Sequence, residues 1–195
     1  VAAVQRAAES SNIRVFGGME VTTEEEIHIL ALFELERDLK RMQDLLYDNL
    51  SGRNDPDAFG QQYIVDEEDY VTGFNERLLM GATALSLNEV IDNIHMLNGL
   101  AIASHIDRDA FSIISQLGMI PEDLKLDAVE LSRHYKRSMF ELDNIAFPRV
   151  TFSDAHHLED IGSGYTRFFI KQPSISEIKM ALRGLKGRAL QQAAL

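Results

Sequence analysis

Glu20 stands in the run Gly17-Gly18-Met19-Glu20-Val21, and His28 follows eight residues later within the apolar run Ile27 to Phe33. A carboxylate and an imidazole are costly to bury unpaired. Oxygen and nitrogen donors on adjoining strands are how a rigid scaffold holds a divalent cation. Further along, Ser104-His105, Ser132-Arg133-His134 and Ser153-Asp154-Ala155-His156-His157 each follow a short apolar stretch. Glu20, His28, His105, Asp154 and His156 are the candidate ligands, and metal-assisted hydrolysis is the chemistry such a set can support. The chain has no cysteine, so disulfides and thiolate sites are excluded and any metal must be held by His, Asp and Glu.

The elements that must position these residues alternate between two periods. Val15-Phe16 and Ile27 to Phe33 read as strands, with Glu20 at the exit of the first and His28 inside the second. A helix at about Glu34 to Leu50 shows Leu35, Leu39, Met42, Leu45 and Leu46 at helical spacing, and Ser51 to Pro56 ends it. Gln61 to Val65 and Tyr70 to Phe74 flank the acidic run Asp66 to Asp69, which reads as a hairpin with a solvated tip. Ser86 caps a helix reaching Leu97, with His95 at the edge of its apolar stripe. Leu100 to Ala103 is a strand covered on both faces, delivering His105 at its carboxyl end. Ala128 to Leu131, Arg149 to Phe152 and Thr166 to Ile170 read as further strands, and Phe111 to Leu117 and Ser176 to Leu182 as helices. Such an alternation predicts an α/β fold in which ligands leaving successive strand ends converge at one mouth. Asp154 and His156, two residues apart, share a face if the strand continues through them.

At 195 residues and 45% hydrophobic, the chain has the material for one sizeable core, so 1–195 is read as a single domain. The formal net charge of −12 argues against binding duplex nucleic acid through a basic face. It leaves a small phosphorylated substrate open. Val1 to Glu9 lacks the apolar core of a signal peptide, and no apolar run approaches the ~20 residues of a membrane helix, so a cytoplasmic protein with no membrane partner is expected. The opening Val1 to Ser11 reads as the back of a helix without an N-cap. The expectation is therefore a chain that starts within a longer protein, and one whose exposed sheet edge could support a homodimer.

Gly17-Gly18-Met19-Glu20-Val21 with His28, Ala103-Ser104-His105 with Arg108, and Ser153-Asp154-Ala155-His156 together resemble the later motifs of the polymerase and histidinol phosphatase (PHP) superfamily of metal-dependent phosphoesterases. The resemblance runs over nearly the whole chain. It is nearest to the branch that includes nucleoside 3′,5′-bisphosphate phosphatases and exonuclease-like proteins. It implies a distorted seven-stranded β/α barrel of TIM-like form with two or three Zn, Mn or Fe ions. Glu20 would bridge two metals, His28 and His105 would complete one, and Asp154 and His156 would serve the others. Metal-activated water would be the nucleophile, Arg108 a phosphate clamp, and Arg133 and His134 a lining of the substrate mouth.

The family's first motif, a strand bearing His-x-His, is absent from this sequence. The expected barrel is therefore incomplete at its amino end, with residues at about 51–84 as an inserted segment. The function implied is hydrolysis of phosphate esters of nucleotides or short oligonucleotides. The alternative is a non-catalytic PHP-like module with a structural, regulatory or partner-binding role.

Overall fold

The computed structural model describes residues 1–135 and 145–192. In chain order its elements are α1 (Ala2–Ala8), β1 (Gly17–Thr22), β2 (His28–Phe33), α2 (Glu36–Asn49), α3 (Pro56–Phe59), β3 (Tyr63–Val65) and β4 (Val71–Phe74). Then come α4 (Leu87–Met96), β5 (Leu100–Ala103), α5 (Ile113–Leu117), β6 (Ala128–Glu130), β7 (Arg149–Val150), β8 (Thr166–Phe169), α6 (Ile175–Leu182) and β9 (Ala189–Gln192). No described helix is long and apolar enough to cross a membrane.

The central sheet has five strands in the order β1-β2-β5-β6-β7. It is mixed: β1 and β2 form an antiparallel hairpin, β2 runs antiparallel to β5, and β5, β6 and β7 are parallel. Among the described residues this sheet does not close into a seven-stranded barrel. Part of the reason lies in β8, whose partner is β9 and not the central sheet. The polar Gln191 and Gln192 give β9 no apolar run of its own. Leu190 nevertheless packs beside α6, and this second small sheet forms there.

Alternation along the strands divides the core in two. Ile29, Ala31 and Phe33 of β2, with Ala101 and Ala103 of β5, face α2 and α4. Leu100 and Ile102 face Ile175, Ile178 and Leu182 of α6. β5 is thus buried on both faces, as its unbroken apolar run requires. Helix α4 starts at a capping box in which Ser86 and Glu89 satisfy each other's backbone amides, which sets the angle at which its apolar side meets β2 and β5.

The boundary that bears on Glu20 differs from the sequence reading. The first strand begins at Gly17, so Glu20 lies inside it and not at its exit. Gly17 and Gly18 serve close approach here: a Cβ on Gly17 would come 2.7 Å from Leu39 Cδ2, and one on Gly18 2.9 Å from the Ala31 carbonyl oxygen. Behind the sheet, buried Asp127 accepts from the Ala101 amide at 3.1 Å and pairs with His95 at 2.9 Å and Arg183 at 3.4 Å. Burial works against its charge, but the His95 pair, the Ala101 amide and Lys179 prevail and hold its carboxyl below the ordinary range.

Candidate metal centre

Because β2 is antiparallel to its two neighbours, its first residue lies at the same end of the sheet as the last residues of β1 and β5. The register pairs Glu20 with Leu30 and Thr22 with His28, so Glu20 and His28 are diagonal neighbours on one face. Ile29 pairs with Ala103, and the chain leaving β5 brings His105 in beside them. The outcome is a group of three, Glu20, His28 and His105, whose potential ligand atoms all lie within 4.8 Å of one another. His28 Nδ1 is 3.2 Å from one Glu20 oxygen, and His105 Nε2 is 3.6 Å from the other. The two imidazoles meet edge to face at 5.4 Å.

Burial works to raise the Glu20 carboxyl, yet the facing His105 and His28 outweigh it and hold Glu20 well below the usual carboxylate range. Glu20 is thus an anion across the working pH range. His28 Nδ1 and His105 Nδ1 are buried without a well-aligned hydrogen bond, and so is Ser104 Oγ. His28 Nδ1 and His105 Nε2, each turned toward a Glu20 oxygen, fit a divalent cation that the three groups would share. Two imidazoles and one carboxylate are a donor set of catalytic zinc sites, which keep a further position open.

Strain marks the same end of the sheet. His105 has φ 28, Phe111 φ 57 and Asp154 φ 45, conformations that cost non-glycine residues about 1–3 kcal/mol each and gather at functional sites. Phe111 lies flat on His28, with ring centroids 4.6 Å apart and planes 11° from parallel. Its carbonyl accepts the His28 amide at 2.9 Å.

Asp154 and His156 do not join the group of three. The strand β7 ends at Val150, so the two residues ride a loop and not one strand face. Asp154 Oδ2 takes the Arg108 guanidinium at 2.7 Å. The His156 side chain is 75% exposed, and its Nδ1 lies 3.0 Å from the Asp154 carbonyl. Arg133 holds Asp160 at 2.6 Å and Ser163 Oγ at 2.7 Å, which ties down the loop that carries Asp154. His134 is exposed and accepts from Arg133 Nε at 3.1 Å. The loops after β5 and β6 are linked as well, through Asp107, which accepts from both the amide and the hydroxyl of Ser132 at 2.7 Å.

Sequence reasoning missed Glu130, the last residue of β6. It is buried, accepts the His105 amide at 3.3 Å, and is pushed up to about 7 by burial, with Asp154 and Glu20 adding like charge. A carboxylate closing the apolar run Ala128-Val129 was the available signal.

The family model described as PHP-associated matches residues 134–186. No curated protein matches the chain. The fold is similar to that of the lesion-specific endonuclease PfuEndoQ from Pyrococcus furiosus, with a TM-score of 0.66 and 19% identity, covering 91% of this chain and 41% of that one. It is similar also to Endonuclease Q in complex with a 27-mer duplex substrate with an abasic lesion at the active site, with a TM-score of 0.59 and 18% identity over 88% of this chain and 40% of that one. The chain therefore spans about 40% of the length of these structures. The second similarity corrects the exclusion of duplex nucleic acid, since a protein of this fold is solved on a duplex. A formal charge of −12 summed over the whole chain does not fix the field at one mouth, where Arg108 and Arg133 stand on the strand-end loops.

Proposed function

We propose that this chain is a member of the PHP superfamily that hydrolyses phosphate esters of nucleotides or nucleic acid, using a divalent ion held by Glu20, His28 and His105. The observation that carries the reading is the convergence of these three side chains, with His28 Nδ1 and His105 Nε2 both turned toward the Glu20 carboxylate. When bound, such an ion supplies a hydroxide from water near neutral pH and draws charge from the phosphate oxygens.

The chain's own residues do the rest. Glu20 brings negative charge that offsets part of the charge of a divalent cation. Glu130 fixes the turn at His105 through the backbone amide. Arg108 offers a planar fork that can exchange Asp154 for a phosphate oxygen. Asp154 and His156, on the loop held by Arg133, are candidates for further ions of the Zn, Mn or Fe type once Arg108 has moved to substrate. We read the five-stranded sheet as part of a distorted seven-stranded barrel in a single PHP-like domain, with 51–84 inserted between α2 and α4.

The test is elemental analysis of the purified chain after incubation with Zn²⁺ or Mn²⁺, paired with hydrolysis assays. The substrates are a phosphomonoester, a nucleoside bisphosphate, a single-stranded oligonucleotide and a duplex with an abasic lesion. Metal-dependent hydrolysis of any of them, lost in His105→Ala, is the expected result. Bound metal without hydrolysis of any of these would favour the non-catalytic module.

A further inference from the structure

We propose that Phe111 is a stacking platform for the base of a nucleotide or nucleic-acid substrate whose phosphate sits at the Glu20–His28–His105 centre. The proposal rests on the phosphoesterase reading for the place of the phosphate, and adds what recognises the rest of the substrate. Three observations carry it.

Phe111 is 42% exposed while one face of its ring lies on His28, so the residue is open to a ligand beside the ligand group. It stands one ring away from the ligand group, with His28 4.6 Å from Phe111 on one side and 5.4 Å from His105 on the other. A phosphate held among the ligands would project its sugar, and then its base, toward that distance. Finally, the ring's position is fixed at some cost: a bulky residue is kept at φ 57, with its carbonyl bonded to the His28 amide. The next residue, Ser112, donates its hydroxyl to the Arg108 carbonyl at 2.7 Å and caps α5, so the loop between His105 and α5 is braced on both sides of the ring. An aromatic face needs no hydrogen-bond code to hold a base, so the platform would accept any base and prefer any base to none.

The test compares binding of deoxyadenosine 5′-monophosphate and deoxyribose 5-phosphate to the chain in Mn²⁺, by calorimetry, for wild type, Phe111→Leu and Phe111→Trp. Leucine keeps an apolar side chain at the strained position, and tryptophan enlarges the stacking face. The expected result is tighter binding of the nucleotide by wild type and a preference reduced about 5- to 150-fold in Phe111→Leu. It should be kept in Phe111→Trp, with Mn²⁺ content and sugar-phosphate binding unchanged. Equal weakening of both ligands, loss of Mn²⁺ in Phe111→Leu, or no base preference in wild type would overturn the proposal and leave Phe111 a support for His28. The phosphoesterase reading fails separately, if wild type hydrolyses no ester, because the base preference is read from binding alone.

Discussion

The Arg108 guanidinium lies 2.7 Å from Asp154 Oδ2 and closes the loop after β5 onto the loop after β7, across 46 residues of sequence. The pair joins a residue with the shape of a phosphate clamp to a residue of metal-ligand type. Both side chains are about a third exposed, so the pair adds at most ~1 kcal/mol to the fold, and its weight lies in positioning. Arg108→Ala should leave the metal at Glu20, His28 and His105 in place while lowering kcat/KM by roughly 10- to 1,000-fold, the range for losing a charge-assisted contact. Lysine should recover only part, since it lacks the planar fork. Loss of metal in Arg108→Ala, measured by elemental analysis, would instead make Arg108 a support for Asp154.

Removal of a ring nitrogen tests the centre directly. His28→Ala and His105→Ala should each weaken Zn²⁺ or Mn²⁺ binding by at least ~10- to 100-fold, more than is typical for partners one step removed from a metal. The two variants should differ in stability, because His105 is 5% exposed and its truncation also opens a cavity, whereas the His28 side chain keeps 19% of its surface in solvent. Calorimetric titration with metal and thermal melts in EDTA separate the two effects. Unchanged metal affinity in both variants would remove the centre from these residues.

The convergence of Glu20, His28 and His105 was legible in the sequence because their residue types are expensive inside apolar runs, and β5 because a run buried on both faces has no polar alternation to blur it. What could not be read depends on tertiary partners. The Gly17-Gly18 pair looks like a strand boundary until Leu39 and the Ala31 carbonyl are seen to need the space of its missing side chains. Phe111 reads as the start of a helix, and its left-handed conformation appears only once its carbonyl is bonded to the His28 amide. Asp154 and His156 have ligand spacing, but spacing carries no information about Arg108, 46 residues earlier, reaching the carboxylate.

Arg133 spans Asp160 and Ser163 and so restrains the loop holding Asp154 and His156. Asp160 in turn accepts from the amides of His156 and His157 at 3.4 and 3.3 Å. The Arg133 hydrogen bond, working against burial and helped by the His156 amide, holds the Asp160 carboxyl below its ordinary range. Arg133→Ala should therefore accelerate amide hydrogen exchange at residues 156–163 at neutral pH, with no change in exchange across β5. Asp160→Asn should do the same, and both should leave metal affinity at the Glu20 group intact. Exchange that stays at wild-type rates in both would show that other contacts hold the loop.

Glu130 sets a pH dependence of stability with a definite sign. Its carboxyl is pushed up to about 7 in the folded protein, by burial first and by Asp154 and Glu20 as like charges, against an ordinary value of 4.5. The folded state therefore holds a proton that the unfolded state has released between these two values, and stability falls as pH rises through that window. The contribution is fully present below pH ~4.5, is lost progressively toward pH ~7, and stays lost above, at about 1.4 kcal/mol for each unit of separation. Glu130→Gln keeps an oxygen for the His105 amide at nearly the same volume and cannot ionise. In EDTA the variant should match wild type near pH 4.5 and exceed it in Tm at pH 8, so that wild type alone loses stability over the interval. A bound divalent cation should shrink the difference at pH 8, because its charge offsets that of the Glu130 carboxylate. Parallel Tm–pH curves for the two proteins in EDTA would mean that Glu130 does not hold its proton through this window.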